Sequence, residues 1–317
     1  MVDSITIWLS NEHYSQQQLD NLIHSLKAKR SITNSETGEV RLNGKYNGFR
    51  VWILNNAVKF VGSLSTYYYG NNAIDLTLEN LERALDKLKR ECPVPILRGD
   101  LWRLDIAECI QLSQPFSAYA NSLLESPGYD MGRSINSVRY TKRNLVFTIY
   151  NKTNDAMEVP AYKKLLEDGK AACVLRIELR FMKLVRQQVM PNQKCLKVVQ
   201  LYSCNLKAKL ANAWMSHYAA ISKRAVFKAA KLPSGKKDTL TFFTAYGLYA
   251  YGYDRAMKFI DDSALLRGWK PNRKSETKNA CKKLCKSPDY TQTTEPIREL
   301  SAKIERSEIK KASAARL

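Results

Sequence analysis

The sequence predicts an α+β fold: a largely antiparallel sheet with helices on one face, a polar face turned away from them, and a basic helical region after it. Two patterns carry that prediction. Short Ile-, Val- and Trp-rich segments interleave with helix-period segments through the first half, and some of them are close enough to pair as hairpins. Beyond Leu206 only helical periodicity remains.

The elements follow in order. Ser4–Leu9 is a strand. Gly48–Leu54 runs through an Asn55-Asn56 turn into Val58–Leu64, a hairpin. Tyr67-Tyr68-Tyr69-Gly70-Asn71-Asn72 reads as a loop. Leu76–Arg90 is a helix, because Leu78, Leu81, Leu85 and Leu88 keep its period and Pro93 lies just past its end. Trp102–Ile110 reads as a strand, Phe116–Leu124 as a helix, and Leu145–Asn151 as a strand. A short helix, Ala161–Glu167, opens after Pro160, and Ala172–Phe181 is a long strand. Leu206–Ala230, Phe242–Leu266 and Glu276–Cys285 read as helices, and Pro296–Leu317 as a frayed or solvated one.

Charge narrows the function class. The chain has 317 residues and a net charge of +21, from 51 Lys+Arg against 30 Asp+Glu. Residues 191–317 carry 26 basic and 10 acidic side chains, leaving only +5 for residues 1–190. Such clustering supplies the sequence-independent part of affinity for a polyanion, and nucleic acid is the commonest one. A hydrophobic share of 44% rules out a disordered polymer. No apolar run approaches the roughly 20 residues of a membrane span. Met1-Val2-Asp3-Ser4 lacks the layout of a secretory leader, and seven irregularly spaced cysteines read as reduced thiols. The expectation is a cytoplasmic protein with no membrane partner.

Three strands carry ionisable groups at alternate positions, which places those groups on one face. Arg103 and Asp105 share a side in Trp102-Arg103-Leu104-Asp105-Ile106. Tyr150 and Lys152 share one in Ile149-Tyr150-Asn151-Lys152, and Arg176, Glu178 and Arg180 do so in Leu175–Arg180. Alternating charge is also what a sheet with one solvated face shows, its cross-strand pairs contributing about 0.2–1 kcal/mol each. Taken together, the three strands offer two carboxylates for a hard cation, a phenol able to attack, and cations for phosphate.

The order Arg-Leu-Asp, Ile-Tyr-Asn-Lys, Arg-Ile-Glu-Leu-Arg resembles the rolling-circle replication initiators of phages and plasmids. It is closest to the filamentous-phage strand-nicking type and more distantly similar to plasmid initiators of the Rep-trans type. The likeness covers about Leu97–Arg186. It implies a catalytic nicking domain over residues 1–190 and a basic DNA-binding region with a charged tail over 191–317. The implied activity is cutting and rejoining one DNA strand at a replication origin in a bacterial host, through a tyrosine–DNA intermediate. On that likeness Tyr150 is the nucleophile, and Asp105 and Glu178 bind Mg²⁺ or Mn²⁺. Where the plasmid branch places Glu after the tyrosine, this chain has Asn151. The implied partners are origin DNA, single-stranded or in a melted hairpin, with a host helicase and polymerase; a homodimer stays open.

A phenol of pKa near 10 is a poor nucleophile, and a divalent ion or the cations of Lys152 and Arg176 would help it. Arg103, Lys152, Arg176 and Arg180 would hold phosphate, and Arg139, Lys142 and Arg143 would bind DNA. Only His13, His24 and His217 are present, none in a His-hydrophobic-His pair, so carboxylates must hold any ion. Tyr140, near Arg139, Lys142 and Arg143, is either a second nucleophile or a hairpin or base-stacking residue. Tyr67, Tyr68 and Tyr69 either stack unpaired bases or pack locally. Lys223, Arg224, Lys236 and Lys237, dense around Phe227, Phe242, Phe243, Tyr246 and Trp269, suggest a DNA-facing surface. Cys281 and Cys285 lack the second close pair that a zinc site needs. The alternative function is a non-catalytic origin- or RNA-binding protein.

Overall fold

Alternating apolar residues give each long strand one face for a core, and one sheet collects these faces. The computed structural model describes residues 1–33, 40–183, 185–227, 236–251, 253–262, 267–284 and 291–314. The chain divides into two compact units, one of Met1–Ser222 with Glu299–Leu317 and the other of Lys223–Arg298.

The first unit holds ten strands: β1 (Val2–Ser10), β2 (Lys27–Thr33), β3 (Val40–Tyr46), β4 (Phe49–Leu54), β5 (Ala57–Ser63), β6 (Asp100–Leu112), β7 (Asp130–Ser134), β8 (Ser137–Lys142), β9 (Leu145–Asn151) and β10 (Cys173–Phe181). They form one antiparallel sheet in the order β2-β3-β4-β5-β1-β6-β10-β9-β8-β7. The α+β class read from the sequence is the one observed. Asn47 and Gly48, both at positive φ, make the β3–β4 turn, and β4 turns into β5 at Asn55-Asn56. Ile5, Ile7 and Leu9 of β1, Leu104 and Ile106 of β6, Phe147 and Ile149 of β9, and Leu175, Ile177 and Leu179 of β10 are all buried. Against them lies the helix Cys204–Ala220, whose fully buried Trp214 donates from its indole N–H to the Ile177 carbonyl at 3.4 Å and meets Phe147 at 5.8 Å.

Several boundaries differ from the sequence reading. The helix expected over Leu206–Ala230 stops at Ala220, and the sheet unit runs past residue 190 to Ser222. Tyr67, Tyr68 and Tyr69 belong to a helix, Leu64–Tyr69, closed by Gly70 at φ +83°. The tail is packed, not frayed. Helices Glu295–Ile304 and Glu308–Ala314 bury Leu300, Ile304, Ile309 and Ala312, and Glu299 accepts from Ser113 N at 2.9 Å and Ser113 Oγ at 2.7 Å. Charge at the exposed positions hides this apolar stripe from a composition reading.

The second unit holds helices Lys236–Tyr251, Tyr253–Asp262 and Pro271–Leu284, with a short antiparallel pair of Ala225–Phe227 and Thr291–Thr293. Leu248, Ile260 and Cys281 form its small core. No helix among the described residues is long and apolar enough to cross a membrane.

Candidate active site

Register brings the three charge-bearing strands together. On β10, Arg176 lies opposite Cys109 of β6 and Tyr150 of β9. Two residues on, Glu178 faces Ala107 and Thr148; two further, Arg180 faces Asp105. Because the side-chain period is two, all of these share the face away from Trp214. Alternation in the sequence predicted this face, and the adjacency of β6, β10 and β9 completes it.

Asp105 is almost wholly buried. Its Oδ1 accepts from Arg103 Nε at 2.9 Å, and its Oδ2 accepts from Arg180 Nε at 3.1 Å and from Arg103 Nη2. Arg180 also donates through Nη2 to Glu178 Oε1, so one guanidinium ties the two carboxylates. Tyr150 donates its hydroxyl to Glu178 Oε2 at 3.4 Å. Burial pushes the Asp105 carboxyl up to about 6, against the pull of the Arg103 hydrogen bond. Burial likewise raises the Tyr150 phenol above its ordinary value, with the Arg176 charge drawing it partly back.

Arg176 is 1% exposed and is a structural hub: its charge draws the Tyr150 phenol's pKa down, as expected, but its nitrogens are turned to internal partners and not to a phosphate. Its Nη2 lies 2.8 Å from Asp3 Oδ2, and its Nη1 lies 3.2 Å from Asp75 Oδ1 and donates to the Asn72 carbonyl at 2.9 Å. Asp3 also accepts from Ser63 Oγ at 2.8 Å. Lys152, beyond the end of β9, reaches Asn72 Oδ1 at 3.2 Å and pairs with Asp155. Asn72 thus contacts both Lys152 and Arg176. Tyr162, from helix Pro160–Glu167, is also here: burial raises its phenol, and the charge of Asp75 adds to that.

Sequence reasoning missed Asp3, Asn72, Asp75 and Tyr162. Asp3 lies in an apolar strand and the other three lie outside strands, so no alternation flags them. Only the tertiary fold brings them to Arg176.

Of the other expected residues, Arg139 is exposed and faces Thr148, on the Tyr150 side. Tyr140 is set apart from the Tyr150 site. It points to the opposite face, 1% exposed, and donates to the Leu124 carbonyl at 2.7 Å. One position of parity in β8 decides this. Lys142 follows Tyr140 to that face, its Nζ 5.4 Å from the Tyr129 ring centre, and Arg143 is exposed in the β8–β9 turn. In the second unit Arg224 is exposed, while burial pushes the Lys223 ammonium down to about 8. The side chains of Lys236 and Lys237 and the residue Cys285 lie outside the described residues. Tyr67 is buried, donating to Glu91 Oε2 at 2.8 Å, which makes it a packing residue.

The carboxylates do not fit a divalent ion as they stand. Each oxygen of Asp105 and Glu178 already accepts from a guanidinium or from the phenol, and three arginines surround the pair. An ion would have to displace Arg103 or Arg180. Among the described residues there is also no group of three or more His, Cys, Asp or Glu placed to hold a metal. Comparison of the chain with protein-family models, with curated proteins and with solved structures returns no match.

Proposed function

We propose that this protein cuts and rejoins one strand of DNA at a replication origin through a covalent tyrosine–phosphate intermediate, with Tyr150 as the nucleophile. The observation that carries the reading is the Tyr150 hydroxyl 3.4 Å from the Glu178 carboxylate, which shares Arg180 with Asp105. In the proposed step Tyr150 Oη attacks the phosphorus as Glu178 takes the phenolic proton. The bond from phosphorus to the 3′-oxygen breaks, and that oxygen leaves with a proton from solvent. The phosphate stays on the tyrosine, so the reverse attack by a 3′-hydroxyl reseals the strand without an added energy source.

The phenol's raised pKa makes the neighbouring base necessary, because free phenolate is scarce at neutral pH. Arg103 and Arg180, about 27% and 31% exposed, form the solvent-facing edge of the network. They exchange carboxylate for the non-bridging phosphate oxygens when DNA enters. No step is routed through Mg²⁺ or Mn²⁺, since the donor set is occupied.

A labelled single strand carrying an origin hairpin, incubated with the protein and resolved in SDS, tests this. The parent and Tyr140→Phe should form an SDS-resistant adduct; Tyr150→Phe should form none, and Glu178→Gln should form it at least 100-fold more slowly. The adduct should persist in EDTA. Loss in EDTA with recovery in Mn²⁺ would return Asp105 and Glu178 to a metal role. No adduct from the parent, with or without metal, would leave the second reading: a non-catalytic DNA-binding protein whose ion pairs only brace the sheet. The saturation of both carboxylates by arginine favours that alternative.

A further inference from the structure

The polar face continues past the candidate site into a different chemistry. Next to Arg103 on β6 stands Trp102, 51% exposed, stacked on Trp8 of β1 with ring centres 5.0 Å apart and planes 18° from parallel. Trp8 lies opposite Lys59 of β5, which lies opposite Trp52 of β4, and Lys59 Nζ sits 5.4 Å from the Trp52 ring centre. Asn43 of β3 faces Trp52, and Arg30 of β2 faces Asn43. One row along, Arg50 faces Lys45. Arg30, Asn43, Lys45, Arg50 and Trp52 line a cavity of about 390 Å³, and its three cations are exposed.

Three tryptophans on one sheet face are costly to leave near water, and this face is not merely apolar. Its indoles stand beside cations, and among the described residues no carboxylate lines the cavity. Flat π-faces flanked by Lys and Arg suit unpaired bases stacking while phosphates meet the charges. A duplex keeps its bases stacked inside and could meet only the cations. From Trp52 on β4 to Trp102 on β6 the sheet takes three strand spacings, about 14 Å.

We propose that the open face of β2–β6 is a binding platform for single-stranded DNA, with Trp102, Trp8 and Trp52 as the stacking residues and Arg30, Lys45, Arg50 and Lys59 as phosphate contacts. The route of the strand toward Arg103 and Tyr150 rests on the nicking reading; binding itself does not.

The test is fluorescence anisotropy with a fluorescein-labelled oligo-dT, titrated at several salt concentrations with the full chain. Trp102→Ala should weaken binding about tenfold, and Trp102→Phe should restore most of it. Trp52→Phe should bind nearly as the parent does and Trp52→Leu should not. Arg50→Gln and Lys59→Gln should each flatten the salt slope by about 0.7. Anisotropy with oligo-dT, which carries no origin hairpin, reads binding alone, which keeps failure of the platform distinct from failure of the chemistry. Unchanged affinity in Trp102→Ala and Trp52→Leu would overturn the proposal. So would tighter binding of a duplex of equal length, or of oligo-rU, which would assign the face to double-stranded DNA or to RNA.

Discussion

Arg176 holds its charge at 1% exposure because Asp3 and Asp75 approach its two terminal nitrogens from different parts of the chain. A guanidinium can divide its planar fork between two carboxylates, and an ammonium cannot do so with the same geometry. Removing it would leave two buried or half-buried carboxylates without their cation. Arg176→Met should therefore cost about 3–5 kcal/mol, read as a lowered urea midpoint, and Arg176→Lys should recover only part of that. A loss under about 1 kcal/mol would show that the hub does not brace the sheet. The same side chain marks the limit of sequence reading at this scale. Its parity with Glu178 and Arg180 was plain in the sequence, and so was its neighbourhood with Tyr150. Its role was not, because a residue's partners decide whether its charge is offered to a ligand or consumed internally.

At the scale of elements, legibility followed burial. β1, β4, β5, β6, β9 and β10 alternate apolar with polar residues because one face of each packs, and all six were visible. β2 and β3 were missed because Lys27-Ala28-Lys29-Arg30 and Asn43-Gly44-Lys45 read as surface. β7 was missed because its residues are almost all exposed, and β8 was missed although its Val138 and Tyr140 are buried. β2 and β7 are the two edges of the sheet, where charge discourages pairing with other chains. The C-terminal helices were misjudged in the opposite sense. Glu108 of β6 accepts from the backbone N–H groups of Glu308 at 2.9 Å and Ile309 at 3.1 Å, fixing the start of the last helix. Ile309→Ala and Leu300→Ala, both fully buried, should each cost about 2–5 kcal/mol in urea unfolding. Losses near zero would make this tail an adornment of the fold.

For the whole molecule, the division at Ser222 and Glu299 makes the second unit an insertion. Tyr218 and Ser301, just before and just after it, meet hydroxyl to hydroxyl at 3.2 Å. The chain thus leaves and re-enters the sheet unit at neighbouring points, a geometry that tolerates excision. Replacing residues 223–298 with a short Gly/Ser linker should leave the sheet unit folded, with thermal unfolding still cooperative. The removed segment carries 17 basic and 7 acidic residues, a net of +10, so DNA affinity should fall and its salt slope flatten. An unchanged slope would assign that charge to solubility. The expected boundary at residue 190 failed for a physical reason: the sequence was divided by charge, and the chain divides by packing.

The position of β1 has a consequence during synthesis. It lies between β5 and β6, pairing Ser4 with Ser63 on one side and Val2 with Ile106 on the other. β1 to β5 can assemble as soon as they emerge, but β1 then presents a bare strand edge until β6 has been made. That edge carries Ile5 and Ile7, both buried in the finished fold. An unpaired edge of this kind templates association with another copy of the same nascent segment. Each chain therefore passes through an interval of self-adhesion, closed only when its own sixth strand arrives to occupy the place.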